Sequence, residues 1–149
     1  MARLRVLTCL LSRVVRQYGP VGTTSDLLGV DYFPSVPADT EFPYQLGTFD
    51  LFTRFLSTGG ITGRVLVTVV RLRPDGSDWN QVYWKWVPLP VIPGPGPLVL
   101  DTTFRLHRLV VPGEGTYVAR VSRDFRRRWD RIRRTRVLGS DSFAVLRAT

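Results

Sequence analysis

The sequence predicts an all-β protein, a single-domain antiparallel β-sandwich of about eight strands spanning residues 1–149. Three observations predict it. Short runs rich in Val, Leu and aromatic residues recur at roughly ten-residue spacing, separated by turns that carry Gly and Pro. Eleven prolines and thirteen glycines leave little room for long helices. With 44% apolar and 22% charged residues, the 149-residue chain is globular in composition and long enough to bury a real core.

The elements follow in order. Val6 to Arg16 is the first strand pattern, closed by the turn residues Tyr18, Gly19 and Pro20. Leu27 to Phe33 is a short second run, ended by Pro34 and Pro37, which cannot donate to a ladder. Phe42 to Phe55 alternates around Leu46, Phe49, Leu51 and Phe55, which suits a strand with one buried face. Ser57 to Gly60 reads as a hairpin-like turn whose glycines supply positive φ. Gly63 to Leu72, centred on Val65 to Val70, is the strongest strand pattern in the chain. In the turn Arg73 to Gly76, Pro74 presets φ and Gly76 takes the left-handed position.

Val82 to Val87 alternates, with Val82, Trp84 and Trp86 on one face and Tyr83, Lys85 and Val87 on the other. The tryptophan face reads as core, which leaves Tyr83 and Trp79 as the exposed aromatics. Pro88 to Pro97 holds five prolines and two glycines and reads as a rigid connector. Leu98 to Leu100 and Thr103 to Val111 bracket a further strand, ended by Pro112 to Gly115. Thr116 to Val121 and Phe143 to Arg147 close the set.

The order of a cysteine-bearing first strand, a Pro74-Asp75-Gly76 turn, Phe104 to Leu106 and the run Val111 to Tyr117 (Val-Pro-Gly-Glu-Gly-Thr-Tyr) resembles small bacterial single-domain β-sandwich proteins of an uncharacterised family. The resemblance covers roughly residues 4–147 and rests on turn chemistry shared by many sandwiches. It implies a fold and no activity. The Arg-rich segment and the Pro-rich connector depart from that pattern.

Charge is concentrated in one place. Residues 120–136 hold nine arginines and two aspartates, so they carry +7 of the chain's formal +9. Lys85 is the only lysine among 21 basic residues. A GC-rich genome also replaces lysine with arginine, so clustering rather than arginine identity is the informative signal. Arg126, Arg127, Arg128 and Trp129, then Arg131, Arg133, Arg134 and Arg136, are the candidate anion- or partner-binding residues. Guanidinium groups interleaved with a stacking-capable ring are the composition of phosphate-backbone binding. Two other readings stand beside it: charges that protect a solvated strand edge, and charges that meet acidic residues of a neighbouring subunit.

Little else carries chemistry. Cys9 alone excludes an internal disulfide and a cysteine-based zinc site, and its apolar surroundings suit a buried small hydrophobe. The single histidine, His107, sits in a strand pattern, and no Gly-x-Ser-x-Gly elbow accompanies it. Asp39 with Glu41 and Asp75 with Asp78 lie beside turns, where aspartate bonds backbone amides. EF-hand, P-loop and Rossmann signatures are absent. The opening residues have an apolar stretch too short for a signal peptide, and no run approaches a membrane span.

These observations predict a cytoplasmic, non-enzymatic binding or structural module with no catalytic residue, metal, cofactor or small-molecule ligand. The expected partner is a protein, or a second copy in a homo-oligomer or larger assembly. Non-specific nucleic-acid binding through residues 120–136 is the alternative.

Overall fold

The computed structural model describes residues 3–18, 24–28, 35–60, 63–89, 94, 96–125 and 134–149. Ten strands run through them: β1 (Leu4–Ser12), β2 (Val14–Tyr18), β3 (Thr24–Leu28), β4 (Ser35–Val36), β5 (Tyr44–Thr58), β6 (Arg64–Leu72), β7 (Asp78–Pro88), β8 (Pro97–Val111), β9 (Gly115–Phe125) and β10 (Arg134–Arg147). Eight of them form two sheets packed face to face, one ordered β1-β5-β8 and the other β4-β10-β9-β6-β7. Strands β2 and β3 pair separately as an antiparallel ribbon. The fold is the predicted all-β sandwich.

Strand periodicity explains the core. In β6, Val65, Val67 and Val69 turn one way and are buried, while Leu66 and Thr68 turn outward. The inward valines meet Leu51, Phe55, Phe104 and Leu106 from the opposite sheet in one cluster. Burying each such side chain contributes about 1.5–3 kcal/mol. Phe55 and Phe104 meet edge to face, with ring centroids 6.3 Å apart. Tyr117 and Phe143 stack at 5.5 Å, and the Tyr117 hydroxyl donates to the Gly113 carbonyl at 2.6 Å. The buried tyrosine thereby ties the start of β9 to the turn that precedes it.

On the outside of the smaller sheet, β5 and β8 face one another with matched charges. Arg105 Nε lies 3.0 Å from Asp50 Oδ1, and Arg54 grips Asp101 with two bonds of 2.8 and 3.0 Å. Asp50 is buried although it points away from the core, because β2 lies over it and the Val15 amide donates to its second oxygen at 3.0 Å.

Several sequence expectations need correction. The predicted strand from Val6 to Arg16 is two strands broken at Arg13. Ser57 to Gly60 is no hairpin, because β5 and β6 belong to different sheets and the turn carries the chain from one to the other. Pro112 to Glu114 crosses between the sheets in the same way, in this case from β8 to β9. Leu98 to Val111 lies in one continuous strand, as expected, which begins at Pro97. The turn after β6 is as expected: Gly76 has φ +85° and donates to the Arg73 carbonyl at 2.9 Å. Residues 90–93 and 95 of the Pro-rich connector, and residues 29–33 of the Leu27–Phe33 run, lie outside the described residues.

Candidate functional site

Of the predicted site residues, Arg126, Arg127, Arg128, Trp129, Arg131 and Arg133 lie outside the described residues. Residues 126–133 join β9 to β10, which pair antiparallel from Phe125 and Arg134 onward. Arg134 and Arg136 therefore belong to a strand, registered opposite Phe125 and Arg123. Arg136 is exposed and Arg123 half-buried, and neither makes an ion pair among the described residues.

The larger sheet brings an aromatic surface to the same end. Trp86 is registered with Leu66, which is paired with Ser122, and Ser122 with Val137. The next row runs Trp84, Thr68, Arg120, Ser140. Both rows lie on the outer face, since the intervening β6 residues Val65 and Val67 are buried in the core. Trp84 is 61% exposed and Val137 50% exposed. The Arg64 guanidinium sits 4.3 Å above the Trp86 ring, a cation–π pair at the edge of this face. Two residues of strand separate the tryptophans by about 7 Å.

This arrangement overturns the placing of the tryptophans in the core. Strand β7 is an edge strand, and its inner face carries Tyr83 and Val87, which pack against the core, with exposed Lys85 between them. A lysine tolerates the inner side of an edge strand because its ammonium reaches past the last strand to water. The register of β7 against the buried valines of β6 fixes the faces; relative apolarity does not. Trp79 is 51% exposed, as expected, with the Arg71 guanidinium 4.2 Å over its ring.

Charge pairing further narrows what the surface offers. Arg120 grips Asp78 with two bonds of 2.8 Å and thereby holds the Asp78 carboxyl below its ordinary pKa. Asp50, Asp101 and Glu114 form ion pairs with Arg105, Arg54 and Arg147 respectively. Asp124 is the carboxylate nearest the β9–β10 connection among the described residues, registered opposite Thr135. Arg64, Arg123 and Arg136 make no ion pair among the described residues; Arg64 lies over Trp86 on the outer face, while Arg123 and Arg136 share the row of Val65 on the opposite face.

A cleft of about 110 Å³ opens where the edges of β7 and β8 run side by side. Its floor includes Val67, Phe104 and Leu106, and its rim includes Tyr83, Lys85, Arg105 and His107. Burial raises the pKa of the Tyr83 phenol, and a hydrogen bond with the His107 backbone opposes part of that rise. Composition gave no reason to place His107 beside Lys85. Both line this cleft because β7 and β8 are the edges of opposing sheets.

No protein-family model matches this chain, and no curated protein matches it either. Among the described residues, no group of three or more His, Cys, Asp or Glu side chains is placed to hold a metal ion. Nor is any helix among them long and apolar enough to cross a membrane.

Proposed function

We propose that this protein is a non-enzymatic binding module that holds single-stranded nucleic acid, without sequence preference, on the outer face of its larger sheet. The observation that carries this reading is the exposed Trp84, beside the Trp86–Arg64 pair and at the same end of the sheet as the Arg-rich β9–β10 connection. Bases stack on aromatic rings and guanidinium planes presented by an open sheet, and arginines follow the phosphates. Stacking works for any base, so the reading needs no recognition motif.

Self-association through the same surface is disfavoured by its charge. A segment of +7 brought against its own copy meets like charge, so a protein partner here would have to be acidic. The apolar exposure of Trp84 and Val137 is what favours that second reading. A cytoplasmic location fits a chain whose one cysteine can form no internal disulfide.

The test is binding of a labelled oligothymidylate and a labelled duplex across a salt series, with light scattering on the same samples. The expected result is a monomer that binds the single strand more tightly than the duplex, with log affinity falling linearly with log salt. Changing Arg126, Arg127 and Arg128 to Ser lowers that slope by about 2, at roughly 0.7 per phosphate contact. Trp84→Ala weakens binding at least about fivefold, from ~1–3 kcal/mol per stacked base. No binding at low salt, or a multimer that the triple change dissociates, overturns the reading in favour of assembly.

A further inference from the structure

We propose that the cleft between β7 and β8 is a separate binding site for a phosphate group, independent of the outer sheet face. Three kinds of observation converge on it. The ionisable rim is cationic or neutral: Lys85, Arg105, His107 and the Tyr83 hydroxyl border it, and no carboxylate among the described residues lines it. The Arg105 Nε is engaged by Asp50 on the far side of β8, while its terminal amino groups make no ion pair among the described residues. Lysine, the guanidinium fork, the imidazole N–H and the phenol can each donate at neutral pH, so the rim is rich in donors and carries no carboxylate among the described residues.

The backbone supports the same conclusion. Among the described residues, β8 pairs only with β5 and β7 only with β6, so each turns one row of peptide groups toward the cleft side. The buried Thr103 hydroxyl, also at the cleft, has no hydrogen-bond partner among the described residues.

Third, β8 carries a bulge at this point. Phe49 pairs with Leu106 and Gly47 with Leu109, so His107 and Arg108 together oppose the single residue Thr48. Arg108 takes φ +51°, a left-handed conformation that residues other than glycine rarely adopt. Bulges re-aim side chains and concentrate at sites of function, as does backbone held in sparsely populated regions. Here the extra residue sets His107 at the mouth of the cleft. The volume suits a tetrahedral oxyanion, and phosphate, with several acceptor oxygens, matches the Lys85 and Arg105 cations and the neighbouring donors better than a singly charged ion does.

The experiment is a titration of the full-length protein with inorganic phosphate at constant ionic strength, followed by amide and histidine NMR signals. Saturable shifts centred on His107, Tyr83 and Lys85 are expected at millimolar phosphate. They persist when Arg126, Arg127 and Arg128 are changed to Ser. Lys85→Met and His107→Gln should each weaken them at least tenfold, and the amide spectrum reports directly that each variant is folded. Displacement by a 5′-phosphorylated oligonucleotide but not by its unphosphorylated form assigns the phosphate to a strand end. Displacement by neither assigns it to free phosphate, and both results support the site. Shifts that never saturate, that chloride reproduces, or that the triple arginine change abolishes while Lys85→Met leaves them intact, overturn it.

Discussion

The carboxylate of Asp141, on β10, accepts the backbone N–H of Leu11, on β1, at 2.7 Å. The bond joins the two sheets along one side of the sandwich. Strand β1 is an edge of the smaller sheet, so this amide has no ladder partner, and a charged acceptor from the facing sheet takes that place. Asp141→Ala leaves the donor unpartnered and should cost about 1–3 kcal/mol. Asp141→Asn keeps an acceptor oxygen and should cost less. Urea midpoints that fall in that order at constant slope would confirm it.

Close to that bond, Gly139 lets the sheets approach. A Cβ built there would lie 2.6 Å from Val6 Cγ1 and 3.3 Å from the Cys9 Cβ. Gly139→Ala should therefore destabilise by about 1–3 kcal/mol through overpacking. Adding Val6→Ala should recover part of the loss. A double-mutant cycle with no coupling would show that the strands simply move apart.

Tyr117→Phe removes only the hydroxyl that donates to the Gly113 carbonyl. The ring stays stacked on Phe143, so the loss isolates the turn between β8 and β9. A fall of about 1–3 kcal/mol in unfolding free energy is expected, since the carbonyl loses its partner in a buried setting.

Cys9 is shielded by burial, which pushes its thiol from 9.0 up to about 11, against a hydrogen bond from Thr53 Oγ1. At pH 8 its native thiolate fraction is about a hundredfold below that of an unfolded cysteine. Iodoacetamide should label it slowly in buffer and rapidly in urea. The linkage has a definite sign. The stability this group contributes is complete below pH 9 and is lost as pH rises through about 11, because the unfolded thiol releases its proton first. Cys9→Ser should flatten that alkaline decline.

The sandwich itself was legible because Val65, Val67 and Val69 alternate with outward residues and because turn residues punctuate the chain. Sheet membership was not. The Ser57–Gly60 glycines fit a hairpin equally well, and only the partner strands distinguish a hairpin from a crossover. Apolarity alone places Trp84 inward, since tryptophan is more apolar than lysine, yet β7 is an edge, where lysine can share the inner face. The Arg134–Arg136 stretch of β10 lacks any apolar alternation to announce a strand. The density of arginine beside β9 was legible from composition alone. The bulge at Arg108 was invisible, since a left-handed residue that is not glycine leaves no mark in the sequence.

The ion pairs across β5 and β8 also guard the ribbon against mispairing. Both strands run acid then base, Asp50 to Arg54 and Asp101 to Arg105, and in antiparallel order each charge finds its opposite in a single alignment. Sliding one strand by four residues sets Arg54 against Arg105 in one direction and Asp50 against Asp101 in the other. Like charges placed opposite one another repel, and a slip by one residue turns Phe52 and its whole face toward the wrong side. Two fifteen-residue strands rich in interchangeable Leu, Val and Thr would otherwise have many near-equal ways to zip. Four charged side chains leave them one.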